Sequence, residues 1–298
     1  MICVNLSKNK LTAFLFLFPA VLVVLCLLLY PVFSSIFYSF TTKHLFKSVY
    51  KFVGIKNYIK ILSDPMFYHS FYISIKWTVL SLFWQVLIGA SAALALNHIQ
   101  SVRGLFRTML IIPWAFPTIV IALIWKWLLN GVYGFVPHFL MKIGLSASPI
   151  EFLTEPTLVF SVLVFINVWF GAPLIMVNVL SALQTVPQDQ YEAAEIDGAS
   201  ALQSFIYITI PHIRLVVGLL VVLRTIWIFN GFDIIFLITG GGPADLTQTL
   251  PLYAYNYGWG LKQLGVASAV TVILLLFLLM VSLLYFKLLN TWEKEGQQ

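Results

Sequence analysis

Residues 189–197 read Asp-Gln-Tyr-Glu-Ala-Ala-Glu-Ile-Asp, and they hold four of the chain's eleven acidic residues, at positions 189, 192, 195 and 197. Long apolar segments flank this stretch, in a protein that is 60% hydrophobic and only 9% charged. The pattern predicts a short polar helix in water between two membrane-spanning helices. The stretch is more acidic than a simple connector requires, which indicates that a partner outside the membrane binds the chain here.

The remainder of the chain is apolar enough to cross a membrane several times. Its mean hydropathy is +0.95, and about 20 apolar residues suffice to cross roughly 30 Å of hydrocarbon as a helix. The apolar runs are too long and too uniform for the strands of a barrel, so we predict an all-α, polytopic membrane protein. The first run is interpreted as a retained span, because it is too long for a signal peptide and lacks a small-residue cleavage pattern. The six predicted spans are residues 11–33, 70–96, 106–129, 157–180, 213–237 and 264–289.

The connector after the first span contains a candidate amphipathic helix. Residues 54–62 place apolar side chains at positions 55, 58, 59 and 62, which is the spacing of one helical face. Such a helix either lies on the membrane surface or packs against its own domain.

The acidic connector, residues 181–212, carries signals for two helices. Pro187 is predicted at the first position of one helix, and Gly198 ends it because glycine tolerates positive φ. Ser200 is predicted to cap a second short helix. Pro211 would then mark the entry to the fifth span.

Helix-breaking residues occur inside three of the predicted spans. Proline removes an internal hydrogen bond, and the freed carbonyls can face a cavity or a neighbouring helix. The breaks predict either a substrate path near the middle of the membrane or simple packing kinks, and both interpretations stay open. The residues are Pro113 and Pro117 in the third span, Gly171 and Pro173 in the fourth, and Gly231 in the fifth.

Arg224 falls near the middle of the fifth predicted span, and Asp233 lies nine residues later. A charge inside the bilayer is costly, so each should face protein or water. A rotation of about 100° per residue places them on opposite faces of one helix. Each therefore needs a partner elsewhere, and for Arg224 we favour an interhelix contact over contact with substrate.

The acidic connector is similar to a motif of a known family. Tyr191-Glu192-Ala193-Ala194-Glu195-Ile196-Asp197-Gly198-Ala199, followed by Phe205, Ile208, Ile210 and Pro211, resembles the EAA loop of ABC importer permeases. The family pattern is EAA, three residues, Gly, nine residues and I-x-L-P, and the chain departs from it only where Ile210 replaces Leu. Two further stretches, 182–187 and 229–243, resemble the carbohydrate branch of the family, and the likeness covers residues 50–285.

This resemblance implies a type I importer permease fold and an organisation in three parts. Residues 1–69 would comprise the N-terminal tail, the first span and an extracytoplasmic connector. Residues 70–290 would form the transmembrane permease domain, with a cytoplasmic coupling loop at 181–212, and residues 291–298 a cytoplasmic tail. Both termini would lie on the cytoplasmic side of a bacterial inner membrane. The Lys and Arg residues are spread almost evenly over the two sides and set no orientation by themselves.

The resemblance also implies specific site residues. A helix of the coupling loop would seat in a groove of a cytoplasmic ATPase subunit, through Glu192, Ala193, Ala194, Glu195, Asp197 and Gly198. Sugar-contact positions would be Trp114, Thr118, Asn167, Phe170, Gly171, Leu174, Trp227 and Gly231.

Aromatic faces together with amide and hydroxyl groups suit a carbohydrate. At Leu174 and Gly231 the chain departs from the polar or aromatic groups of maltose-transporting members. The implied substrate is an oligosaccharide or disaccharide, with glycerol 3-phosphate or a polyol as the alternative.

The energy source is expected in another polypeptide. The run Gly240-Gly241-Gly242-Pro243 lacks the lysine of a phosphate-binding loop and is typical of an extracytoplasmic turn. No catalytic grouping or metal-ligand spacing is visible, so we expect no enzyme activity and no cofactor in this chain, with ATP and Mg bound by partner subunits. A stand-alone secondary transporter, the alternative from another class, would need inverted repeats and membrane carboxylates, for which Asp233 is the one clear candidate.

The implied partners belong to the complete importer. They are a second related permease, two ATPase subunits, an extracytoplasmic solute-binding protein, membrane lipid and a small-molecule sugar, with no nucleic acid.

Overall fold

The computed structural model describes residues 6–99 and 103–295. Residues 1–5 of the predicted N-terminal tail and residues 296–298 of the predicted C-terminal tail therefore fall outside the described residues, whereas 291–295 belong to the last helix. Wider π-helical turns at Leu25–Leu29, Phe205–Thr209 and Asn256–Gly260, and a 3₁₀ turn at Ile112–Ala115, adjoin the α-helices. The α-helices are α1 (Leu6–Val24), α2 (Tyr30–Ser39), α3 (Lys56–Leu62), α4 (Pro65–His98), α5 (Arg103–Ile111), α6 (Thr118–Leu128), α7 (Phe135–Lys142), α8 (Val159–Leu183), α9 (Gln188–Ile196), α10 (Ala201–Ser204), α11 (Ile210–Phe229), α12 (Asp233–Ile238), α13 (Leu250–Tyr255) and α14 (Leu264–Glu295).

The predicted helical membrane architecture is confirmed. Within the described residues, five helical segments are long and apolar enough to cross a membrane, and a bent pair makes six if it counts as one span. The five are Leu15–Ser39, Pro65–His98, Val159–Leu183, Ala201–Ile238 and Leu264–Leu289. The first two predicted spans ended too early in the sequence. Hydropathy marks the apolar middle of a helix and misses the polar turns that continue it.

The third predicted span is not one straight helix. Its two halves, Gly104–Ala115 and Thr118–Leu128, are bent by 91°. Phe116 and Pro117 adopt extended ψ angles of 146° and 140° between them. A residue before proline is pushed out of the helical region, so the break predicted at Pro117 is present.

The fourth predicted span, in contrast, is uninterrupted. α8 continues through Gly171 and Pro173 over its 25 residues, so the break predicted there was wrong. Packing against neighbouring helices can hold a proline inside a membrane helix. Gly171, Pro173 and most of this helix are buried.

The chain forms two compact units, one of Met66–Tyr253 with Phe277–Gln298 and one of Met1–Pro65 with Ala254–Leu276. In the first of these, α4, α8 and α11 pack through one apolar cluster. Lipid is as apolar as these side chains, so close packing rather than exclusion of water holds the helices together. The buried members are Ala93, Leu96, Ile175, Met176, Val179, Leu180, Ala182, Leu183, Ile213 and Leu220.

The other unit contains the predicted amphipathic helix as α3. Its buried face is Asn57 and Ile61, and Asn57 Nδ2 donates to the carbonyls of Ser39 and Thr41, each at 2.8 Å. This helix therefore packs against its own unit, as one of the two alternatives expected. The apolar residues Ile55, Ile59 and Leu62, predicted as one face, remain exposed.

Candidate functional site

The coupling loop begins with a short helix that ends at a glycine turn. α9 starts after Pro187, whose ψ of 129° makes it the last residue before the helix and not the first helical residue predicted. At the other end Gly198 has a φ of +78°. The N–H of Gly198 donates to the carbonyl of Glu195 at 3.0 Å, and that of Ala199 to Ala194 at 2.9 Å. These bonds satisfy the last carbonyls of α9, and they confirm Gly198 as its stop.

The second half of the loop joins the membrane helix without a break. Ser200 and Gln203 form the predicted cap, with Ser200 N donating to Gln203 Oε1 at 2.7 Å and Gln203 N to Ser200 Oγ at 3.3 Å. Helix then continues through α10 and the π-helical turn into α11. The expected separate helix before Pro211 was therefore wrong. A widened turn accommodates the missing proline N–H, and the loop is attached to α11 by continuous helix.

The coupling loop leaves most of its side chains exposed. α9 contains no buried residue, and Glu192, Ala193, Glu195, Asp197 and Gly198 are all exposed while Ala194 is half-buried. Ile196, which the acidic pattern in the sequence did not single out, is 87% exposed. A helix this short is marginal in water without a packing partner.

One contact inside the loop fastens α9 to the helix that follows it. The hydroxyls of Tyr191 and Thr209 lie 2.8 Å apart. Tyr191→Phe removes this bond, and we expect a loss of about 1 kcal/mol in local stability. Amide hydrogen exchange over residues 188–197 should speed up roughly fivefold as a result. Tyr207→Phe is the matched control, because Tyr207 is 76% exposed, and unchanged exchange in Tyr191→Phe would contradict the role assigned to the bond.

A cavity of about 500 Å³ lies where the third and fifth spans are broken. It holds both aromatic faces and polar groups. Six of the eight predicted sugar-contact residues line it: Trp114, Thr118, Asn167, Phe170, Trp227 and Gly231. The other lining residues are Trp77, Phe116, Pro117, Arg224, Ile228, Asn230, Phe232, Asp233 and Ile234. Their contact with a sugar stays a prediction.

The two remaining predicted residues, Gly171 and Leu174, are not among those that line the cavity. Leu174 is half-buried on α8. A Cβ atom at Gly171 would collide with the side chains of Gln85 and Arg224. Gly171 therefore leaves room for these two side chains, of which Arg224 lines the cavity.

Arg224 makes the interhelix contact that we favoured, and it also lines the cavity. Its Nε and Nη2 donate to Gln85 Oε1 at 2.9 and 2.6 Å. Gln85 Nε2 in turn donates to the carbonyl of Asn167 at 2.9 Å. α4, α8 and α11 thus meet at one buried polar cluster.

The prediction that Arg224 and Asp233 lie on opposite faces of one helix was wrong. α11 ends at Phe229 and α12 begins at Asp233, so a continuous helical rotation does not relate the two residues. Both line the same cavity. The break also exposes the last carbonyls of α11, and Trp77 Nε1 donates to that of Ile228 at 3.1 Å.

Gln85 and Trp77 are site residues that sequence reasoning missed. Gln85 is fully buried. The available signal was an amide side chain alone in a long apolar run, which must find hydrogen-bond partners inside the protein.

Comparisons with protein families, with known sequences and with solved structures identify proteins similar to this chain. Residues 85–292 match the family described as binding-protein-dependent transport system inner membrane component. The chain is 35% identical over 274 residues to the trehalose/maltose transport system permease protein MalF of Thermococcus litoralis, covering 92% of each chain. It is 29% identical to the sulfoquinovosyl glycerol transport system permease protein SmoG of Agrobacterium fabrum, covering 95% of this chain and 92% of that one. A bacterial ABC transporter involved in the import of the acidic polysaccharide alginate has the same fold, with a TM-score of 0.83 at 22% identity over 95% of this chain and 96% of that one. The chain therefore belongs to the inner membrane components of binding-protein-dependent transport systems, the permease subunits of ABC importers, in which ATP hydrolysis resides in a separate subunit.

Proposed function

We propose that this permease imports a carbohydrate, an oligosaccharide or disaccharide, through the cavity at the broken third and fifth spans. The observation that carries the proposal is the composition of the cavity wall. Tryptophan and phenylalanine faces stand beside the amide of Asn167, the hydroxyl of Thr118 and the charges of Arg224 and Asp233. Aromatic faces suit sugar C–H surfaces, while the polar groups suit hydroxyls. The two relatives are named as trehalose/maltose and sulfoquinovosyl glycerol permeases, and these sugar-derived substrates support the same class.

The coupling loop is proposed to lie in the cytoplasm and to seat α9 on an ATPase subunit. An even number of spans then leaves both termini on the cytoplasmic side. Continuous helix connects the loop to α11, whose residues Arg224 and Trp227 line the cavity. Movement of α9 by the ATPase would therefore shift one wall of the cavity directly. The full importer would contain a second related permease, two ATPase subunits and an extracytoplasmic solute-binding protein.

Reconstitution of the complete importer in proteoliposomes tests the function. We expect accumulation of a labelled disaccharide that requires both enclosed ATP and the binding protein. Import of glycerol 3-phosphate or a polyol in place of any disaccharide would move the substrate to the alternative class. Accumulation driven by an ion gradient without ATP would refute the ATPase coupling.

Trp227 offers a test of the cavity itself. Its ring lines the cavity and is 53% exposed. Trp227→Ala removes an aromatic contact worth roughly 1.5 kcal/mol, so disaccharide import at limiting substrate should fall about tenfold. Trp84→Ala is the control, because Trp84 is 45% exposed on α4 but does not line this cavity. Equal loss in the two variants would contradict a sugar contact at Trp227.

A further inference from the structure

One corner of the cavity is built from three polar residues that come from three helices. Gln85 on α4 is 0% exposed, Arg224 on α11 is 5% exposed and Asn167 on α8 is 7% exposed. We refer to Gln85, Asn167 and Arg224 as the polar corner. Asn167 and Arg224 line the cavity, whereas Gln85 lies behind them.

The hydrogen bonds of Gln85 hold the guanidinium of Arg224 in one orientation. A guanidinium can only donate and a backbone carbonyl can only accept. Gln85 Oε1 must therefore face Arg224, which donates from Nε at 2.9 Å and Nη2 at 2.6 Å, while Nε2 faces the carbonyl of Asn167 at 2.9 Å. Two anchored nitrogens prevent the planar group from rotating.

Neighbouring groups also restrict where the guanidinium of Arg224 can lie. Gly171 has no side chain, and any Cβ there would collide with both Gln85 and Arg224. On another side the Trp227 ring centroid lies 5.8 Å from Arg224 Cζ. The arginine is therefore confined between α4, α8 and the aromatic wall.

The polar corner retains hydrogen-bonding capacity that the described residues do not use. Asn167 Nδ2 is buried and has no hydrogen-bond partner within residues 6–99 and 103–295. The two bonds of Arg224 both go to a neutral amide oxygen, and a guanidinium offers more donors than these bonds use. A buried donor without an acceptor and a buried charge paired only with an amide are both unfavourable. Neighbouring oxygen atoms of a ligand would satisfy both groups at once.

We infer that Gln85 is a positioning residue, which holds Arg224 so that its guanidinium and Asn167 Nδ2 donate together to neighbouring oxygens of the transported molecule. The inference rests on the proposed function and names the ligand chemistry of that cavity. Two adjacent sugar hydroxyls or one carboxylate of an acidic sugar supply such oxygens, and both are acceptors for this pair of donors.

The test compares three variants of the reconstituted importer by the amount of sugar imported per ATP hydrolysed. Gln85→Met keeps the length of the side chain but removes the acceptor for Arg224, so the ratio should fall about tenfold, as expected for loss of a hydrogen bond to a charged group. Gln85→Glu keeps an acceptor and should recover most of the loss. Ser81→Ala, on the same helix, fully buried and absent from the cavity lining, is the control and should match the wild type.

A purely structural role for Gln85 gives the opposite order, because a buried carboxylate disturbs packing more than methionine does. The inference is refuted if Gln85→Glu performs worse than Gln85→Met, or if Gln85→Met imports sugar normally. Either result leaves the proposed function intact. Trehalose and digalacturonate are the probes, and import of one or the other identifies hydroxyls or a carboxylate as the source of the oxygens. If the wild type imports neither with ATP, the proposed function fails and the inference falls with it.

Discussion

Replacing Gly198 with proline is expected to release the ATPase subunits from the purified complex. Gly198 has a φ of +78°, and its N–H donates to the carbonyl of Glu195 at 3.0 Å. Proline fixes φ near −65° and has no N–H, so the turn after α9 cannot form. An ordinary residue at positive φ costs about 1–2 kcal/mol, and proline should exceed that. The amount of ATPase that co-purifies should therefore fall by more than about tenfold.

Gly144 provides a matched control in a different turn. It ends α7 with a φ of +80°, and its N–H donates to the carbonyl of Met141 at 3.1 Å. At both glycines a Cβ would meet no atom of the described part of the chain within 4 Å, so the two substitutions differ in location and share their backbone strain. Gly144→Pro should retain the ATPase. Equal loss in both variants would indicate general misfolding, and retention in Gly198→Pro would remove the coupling role from this turn.

The coupling loop was predictable because its structure follows short-range rules. Positive φ at Gly198 and the cap at Ser200 depend on residues within one helical turn of each position. The error at Pro211 came from the same kind of reasoning. Proline ends most helices, yet a π-helical turn can absorb one inside continuous helix, and nothing local in the sequence distinguishes these outcomes.

The cavity was predictable in part. Prolines in the third span and Gly231 in the fifth indicated the breaks, and the family resemblance supplied six residues that line the cavity between them. Gln85 was missed because its partner Arg224 is 139 residues away in the sequence. A single sequence does not show which helices are neighbours, so it cannot pair buried polar groups across them. For the same reason the sequence did not show that Gly171 leaves space for that pair.

Two kinds of contact in the coupling loop compete as the main source of affinity for the ATPase. One is the set of acidic side chains on α9, and the other is an exposed apolar side chain. Exposed ion pairs contribute about 0–1 kcal/mol each, so the acidic residues of α9 are weak anchors individually. Burying an isoleucine side chain contributes roughly 1.5–3 kcal/mol, and Ile196 is 87% exposed on this helix. We therefore expect Ile196 to fill an apolar part of the ATPase groove. The acidic residues would surround that contact and orient the approach of the two proteins.

Ile196→Glu should consequently weaken the complex far more than Glu192→Gln. It removes the apolar anchor and places a carboxylate in a dry interface, where an unpaired charge costs several kcal/mol. ATPase co-purification and ATP-dependent import should fall by about a hundredfold or more, whereas Glu192→Gln should stay within about fivefold of the wild type. Val132→Glu controls for the added charge, because Val132 is 78% exposed in the turn that follows α6. If Glu192→Gln instead abolished binding while Ile196→Glu retained it, the loop would be held by its charges, and binding should then weaken steeply with ionic strength.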